Sequence, residues 1–302
     1  MALSPVEIKG LLMFAWTRVG AGVLLLLWGL LFWPIIPGLW NVWMIDSNNS
    51  HGVLVPLMVA YLIWQRRNDI AWGQASPSLW GLGLLTGSLL IYLLSLRMHI
   101  AFFGRLTMVG TLAGLLWWNL GGRIFRQLLF PMAFLVFMIP VPDSVSGTIT
   151  FPLQLFAAST SATVIRALGI PVLQEGTMLY FANAMLEVSE ACSGIRSAMA
   201  YLTLGVLFTH LAGDAMGRVG KSILLLSTLP LALLVNILRI SGTGLLASLL
   251  GEQIARGFLH EFSGMVVFAF GFLLFWSESL LVKRWLPNGQ VGLPVLVATE
   301  KG

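Results

Sequence analysis

"SILLLSTLPLALLVNILRISGTGLLAS", residues 222–248, carries one charge, Arg239, in an otherwise apolar run. About 20 residues of helix cross the roughly 30 Å hydrocarbon core of a bilayer, so this stretch reads as a membrane span. The rest of the chain agrees. It is 58% hydrophobic and 10% charged, with 12 Trp and 18 Phe, and its mean hydropathy is +0.90; soluble domains carry roughly a quarter charged residues. The fold class is therefore all-α, polytopic and membrane-embedded. The formal net charge of +5 raises the question of nucleic acid, but the 17 Lys and Arg fall in pairs between apolar runs. They form no patch or stripe, so they read as topology signals and nucleic acid is not a partner.

Outward from residues 222–248, similar runs occupy approximately 16–36, 52–66, 79–96, 100–120, 126–142, 192–211 and 260–282, giving eight expected spans. The first is read as retained, since no small-residue cleavage site follows it. With a cytoplasmic amino terminus, the inner side collects Lys9, Arg18, Arg66, Arg67, Arg123, Arg126, Arg218, Lys221, Lys283, Arg284 and Lys301. Arg97, Arg105, Arg166, Arg196, Arg239 and Arg256 fall outside. This asymmetry of about two to one orients both termini toward the cytoplasm, residues 1–15 and 283–302 respectively. No repeat or low-complexity linker divides the chain, so residues 1–302 are expected to form one integral domain.

The longest interruption, residues 143–191, is expected outside. "FPLQLFAASTSATVIRALG" has helical spacing with Ser and Thr interspersed, which suggests an amphipathic helix lying on the outer surface. "IPVLQEGTMLYFANAMLEVSEA" is broken by Pro171 and Gly176 and alternates in places, so a short extended or hairpin segment should deliver the chain to the sixth span. Loops this long are uncommon unless functional.

The only cysteine, Cys192, opens that sixth span. It is a small core filler, an isolated metal ligand or a reactive thiol. Alternation decides which residues share its depth. Arg239 lies about 17 residues beyond the basic inner turn at Arg218 and Lys221, a climb of about 25 Å, so it reaches the same outer level. His260 opens the eighth span there too. Each has a bland reading: the arginine snorkels or pairs with Glu190 or Glu261, and the histidine caps a helix. An ionisable residue within a span is nonetheless a functional-site hypothesis by default. Together the three residues would support acyl transfer. The helix N-terminus favours thiolate at Cys192, the histidine activates it or protonates the leaving amine, and the arginine holds a carbonyl or oxyanion. Gly194 would let substrate backbone approach.

"EACSGIRSAMAYL" with Cys192, "NILRI" with Arg239 and "HEFSG" with His260 together resemble the exosortase family of bacterial membrane transpeptidases. "NSHGVLVPLMVAYLIWQRR", residues 49–67, is similar to that family's amino-terminal signature. The resemblance implies a Cys/Arg/His site facing the periplasm of a bacterial inner-membrane protein. It implies substrates with a carboxy-terminal sorting signal: a Pro-Glu-Pro motif, a transmembrane helix and a basic tail (PEP-CTERM type), often encoded with exopolysaccharide genes. By analogy with sortases, Cys192 would form a thioester and pass the acyl group to an acceptor or to water.

Other polar residues carry weaker readings. Arg196, one turn into the helix after Cys192, is either the active-site arginine in place of Arg239 or a partner of Glu187 or Glu190. Asn236 shares a helix face with Arg239 and would support it. His51 is an interfacial cap or a substrate-docking residue. Four dispersed His and one Cys make no metal cluster, and no cofactor is called for. Membrane lipids and the substrate proteins are the expected partners. The competing reading is a transporter or flippase for a lipid-linked saccharide or other anion, with Arg97, Arg105, Arg196 and Arg239 as its path. It calls for polar residues through the depth of several spans, whereas here they cluster at the outer ends of the last three.

Overall fold

A computed structural model describes residues 20, 22–46, 48–70, 72, 75–188, 195–251 and 258–286, with the backbone alone for 143, 250 and 258–265. The chain divides into two compact units, residues 1–142 and 143–302.

In the first unit, α1 (Gly22–Phe32) and α2 (Ile36–Ile45) meet at a 65° bend. Pro34 precedes the break and Pro37 occupies the first turn of α2, where its missing N–H costs nothing. A 3-10 turn (Ser50–Val53) leads into α3 (Leu54–Gln65), followed by α4 (Leu79–Met98) and α5 (Ala101–Phe134), which ends in a 3-10 turn, Leu135–Met138. The α4 and α5 helices pack antiparallel through small residues, since helices in lipid associate by close approach rather than by hydrophobic exclusion. Gly114 abuts the Leu85 backbone and Gly110 abuts the Ser88 hydroxyl. Trp28 of α1 crosses to donate from Nε1 to Thr111 Oγ1 at 3.0 Å, and Phe32 packs on Tyr92.

The α5 helix is interrupted at Gly121, whose φ of 83° is open to glycine and strained for other residues. The chain turns back there. Trp117 and Phe125 stack with centroids 4.9 Å apart, although residues eight apart in one helix are separated by about 12 Å. Phe103 and Val136 line one cavity of about 480 Å³, whereas a straight helix would set them about 50 Å apart. Residues 101–120 and 122–138 are thus antiparallel arms, matching the expected breaks between spans at 100–120 and 126–142. The carbonyls of Leu120 and Trp118, at the end of the first arm, accept from the Ser76 and Ser78 amides at 3.4 and 3.1 Å.

The second unit comprises α6 (Asp143–Ala167), the strands β1 (Leu173–Glu175), β2 (Met178–Tyr180) and β3 (Met185–Glu187), then α7 (Ile195–Leu211), α8 (Arg218–Leu250) and α9 (Phe258–Trp285). The expected extended segment is a three-stranded antiparallel meander. Leu173 pairs with Tyr180 and Met178 with Glu187, and the turn between β1 and β2 is made at Gly176. Leu179 and Leu186 point inward from the sheet onto Ala157, Ala158, Ala162 and Ile165 of α6 and Ile240 of α8.

The contacts of α8 fix the direction of its neighbours. A Cβ on Gly205 of α7 would lie 2.9 Å from Thr228, and Tyr201 packs on Ala232 and Val235, so α7 runs antiparallel to α8. Gly220 faces Val282 of α9 and Val235 faces Gly271, so α9 is antiparallel as well. Ser161 of α6 donates to the Ile237 carbonyl and Ile165 abuts Gly244, so α6 runs parallel to α8. The sheet, the end of α8 and the beginnings of α7 and α9 therefore share one end of this unit.

Along one side α6 packs on α8 and on the sheet. Its buried stripe consists of Thr150, Gln154, Ala157, Ala158, Ser161, Ala162 and Ile165, while Val145, Ile149, Phe151 and Phe156 are exposed. Small residues meet the neighbouring helix and the sheet, while large apolar ones face away from the protein. By length and composition five described helices can cross a membrane, Ser144–Ala167 among them, and a sixth if the bent α1–α2 pair is one span. Ser50–Gln65 and Ile195–Leu211 are apolar but shorter. Those five or six differ from the eight expected spans, partly because residues 101–138 count as one stretch there.

Candidate active site

Apolar periodicity explains why Arg239 sits where it does. Thr228, Ala232, Val235 and Arg239 follow one another at helical spacing along α8. The first three are buried, and Ala232 and Val235 pack on Tyr201 of α7 and Val267 of α9. Arg239 continues that face one turn toward the sheet end, half-buried, with its Nε withdrawn from the surface. Asn236, three residues earlier, is 2% exposed, and Ser241 and Thr243 are also buried in the following turn. Arg239 thus stands beside buried polar residues in an otherwise apolar helix, a setting in which an ionisable group is costly.

Arg196, the second residue of α7, is half-buried. It lies at about the level of Arg239, because Tyr201 stands opposite Ala232 and Val235 and Gly205 opposite Thr228. Its helical row, however, is that of Ala200, Thr203 and Leu207, a different face from the one Tyr201 presents to α8. Of the two arginines, Arg239 is the one on the face shared by α7, α8 and α9. His260 is the third residue of α9, seven before Val267 and so in its helical row, at the sheet end; its side chain is outside the described residues. Cys192, Gly194 and Glu190 also lie outside the described residues, between β3 and α7.

His51 belongs to the first unit, in the 3-10 turn before α3. Gly52 beside it leaves room for the Trp43 indole, whose Nε1 donates to the Met138 carbonyl at 2.9 Å. Asp46 organises the preceding loop by accepting from the Asn48 amide at 2.9 Å and from the Asn49 side chain. Burial holds the His51 imidazole below its ordinary pKa, opposed by hydrogen bonds to the backbone of Phe137 and Asn48.

Sequence reasoning missed what seats α9. Tyr201 is fully buried and donates its hydroxyl to the Phe268 carbonyl at 3.2 Å. It reaches that carbonyl through the space left by Gly271, whose missing Cβ would meet the hydroxyl. The sole sequence signal is a glycine inside the aromatic run "FAFGF".

The family model described as Transmembrane exosortase matches residues 40–277. The chain belongs to the transmembrane exosortase family. The matched range spans "NSHG", Cys192, Arg239 and His260. No curated protein and no solved structure matches the chain.

Proposed function

We propose that the chain is a cysteine-dependent exosortase, cleaving PEP-CTERM-type sorting signals at the outer face of a bacterial inner membrane and transferring the acyl group to an acceptor or to water. The observation that carries this reading is the antiparallel packing of α7 and α9 on α8. It sets the start of α9 and the Arg239 turn at the sheet end, where β3 leads toward the segment holding the chain's only cysteine.

In this mechanism the Cys192 thiolate attacks the scissile carbonyl, forming a C–S bond and a tetrahedral oxyanion. Arg239 donates to that oxyanion through its planar fork. Collapse breaks the C–N bond, and the imidazolium of His260 gives its proton to the leaving amine. The acceptor then attacks the thioester, His260 takes the acceptor's proton, and the thiolate is released. Buried polar neighbours such as Asn236 hold the guanidinium at a fixed angle.

The test is the ratio of full-length to cleaved sorting-signal substrate in cells expressing each variant. His260→Ala should lose most processing. Arg239→Lys should lose about 100-fold, the usual cost of removing an oxyanion donor, while Arg196→Ala retains measurable activity. An inactive Arg196→Ala beside an active Arg239→Ala would transfer the role to α7, and unchanged processing in all three would remove the mechanism.

A further inference from the structure

In the sequence Arg218 with Lys221 and Lys283 with Arg284 are two basic pairs about 60 residues apart. Packing gathers them at the end of the second unit opposite the sheet. The Gly217 amide donates to the Leu286 carbonyl at 3.1 Å, and a Cβ on Gly220 would lie 3.0 Å from Val282 Cγ1 and 3.4 Å from Leu286 Cβ. The first turn of α8 is thus fastened to the end of α9. Arg218 follows Gly217, Lys221 follows Gly220 and Lys283 follows Val282, so the cations flank the fastening residues. Arg218, Lys283 and Arg284 are exposed and Lys221 is half-buried. Among the described residues none of the four side chains takes part in an ion pair or hydrogen bond. The carboxylates nearest in sequence are Asp214, in the 3-10 turn before α8, and Glu278, earlier in α9, which leaves the patch an excess of positive charge. Its depth follows from the two helices. The apolar run of α8 begins at Ile223, one turn beyond Arg218, and Val266–Trp285 has just the length to cross the hydrocarbon. Trp285, 78% exposed, ends that stretch as interfacial tryptophans do. The four cations therefore stand at the headgroup level. Two of them occupy the first turn of α8, where positive charge opposes the helix dipole and where the helix has neither a side-chain cap nor an acidic residue.

We propose that this patch binds an anionic phospholipid whose headgroup phosphate bridges the start of α8 and the end of α9. The charge calls for an anion, and the depth decides its source, because groups at the ends of two membrane-crossing helices stand among lipid headgroups. An anion there also offsets the repulsion between the α8 cations and the helix dipole. Each Lys or Arg at a membrane surface strengthens binding to anionic lipid roughly fivefold. Gathering four of them, where a single turn offers two, is what distinguishes this patch from an ordinary basic turn.

The experiment is native mass spectrometry of the full chain in mild detergent, titrated with phosphatidylglycerol or phosphatidylcholine. Circular dichroism checks that each variant is folded. Wild type should retain a phosphatidylglycerol more tightly than phosphatidylcholine, whose headgroup has no net charge. Arg218→Gln with Lys221→Gln should weaken that lipid about 25-fold, and Lys283→Gln with Arg284→Gln should do the same, as for loss of two surface cations. Arg66→Gln with Arg67→Gln, a basic pair of the first unit, should leave it unchanged. Equal retention of both lipids would overturn the proposal, as would phosphatidylglycerol binding as tight in the folded α8 and α9 variants as in wild type. A loss confined to one of those two variants would overturn the bridge between the helices. Displacement of the lipid by a glutamate-rich peptide at comparable concentration would assign the patch to an acidic protein segment instead. Should a double variant fail to fold, the single changes Lys221→Gln and Lys283→Gln replace it, each with about a fivefold loss expected and the same null result decisive.

Discussion

Adding one methyl group at Gly271 should loosen the seat of α9. In Gly271→Ala the new Cβ would meet the Tyr201 hydroxyl and would come within 2.7 Å of Val235 Cγ2 and 2.9 Å of Tyr201 Cζ. Such overpacking costs about 1–3 kcal/mol. Displacing the ring also breaks the hydroxyl's bond to the Phe268 carbonyl, worth about 1 kcal/mol. Alanine's higher helix propensity returns about 1 kcal/mol. The net expectation is a loss of about 1–3 kcal/mol. Tyr201→Phe removes the atom that clashes most, while the ring carbon and Val235 remain close. In a double-mutant cycle the two changes should therefore couple by about 0.5 kcal/mol or more, with the double variant more stable than the sum of the singles. Graded unfolding of the purified protein from mild detergent into dodecyl sulfate measures all four corners. A Gly271→Ala variant as stable as wild type, or strictly additive changes, would refute the close approach. Because His260 lies near the start of the same helix, substrate processing should fall together with stability.

Three further outcomes are expected. Gly121→Ala should destabilise the first unit by about 1–2 kcal/mol from backbone strain alone, because its φ of 83° disfavours a side chain and the added Cβ meets the Ser76 carbonyl; the same detergent unfolding reads it. The His51 imidazole, held below its ordinary pKa by burial, takes up its proton more readily once unfolded, so its contribution to stability should be present above about pH 6.5 and decline as the pH falls through that value. His51→Asn should flatten that dependence, measured as unfolding midpoint against pH from 5 to 8. Reporter fusions at Gly176 and Asp214 should lie on opposite sides of the membrane, Gly176 outside. Fusions at Ser144 and Gly169 should both read outside as well, as the expected placement of residues 143–191 requires; a difference between them would make α6, about 36 Å long, a span.

What could be read in advance depended on which interactions reach along the chain and which reach across it. Arg239 was visible because a lone cation in "LLVNILRISG" breaks an apolar run, and alternation turned it toward the same end of the bundle as the start of the eighth span. The meander was visible through Pro171, Gly176 and the alternation of "MLYFANAMLEV". Which side of α6 meets protein was not legible, because Ser and Thr between apolar residues look the same whether they face water or a neighbouring helix; the packing of Ala157, Ala158 and Ser161 against α8 and the sheet distinguishes the two. The bend at Gly121 was anticipated as a gap between spans, yet the tight reversal and its Ser76 contact depend on a partner 45 residues earlier. Tyr201 and Gly271 form their lock across two helices, a pairing that no local pattern announces.

The central claim is that Cys192 carries the substrate's acyl group, and peptide mass spectrometry of the chain recovered from cells making a sorting-signal substrate tests it most directly. The account predicts a fraction of Cys192 peptides bearing the substrate's newly exposed carboxy-terminal residue as a thioester, released by hydroxylamine, and depleted in His260→Ala, where the thiolate forms poorly and the leaving amine lacks its proton donor. Cleaved substrate accumulating in cells that carry Cys192→Ala as the sole copy of this chain, with no adduct in wild type, would contradict it.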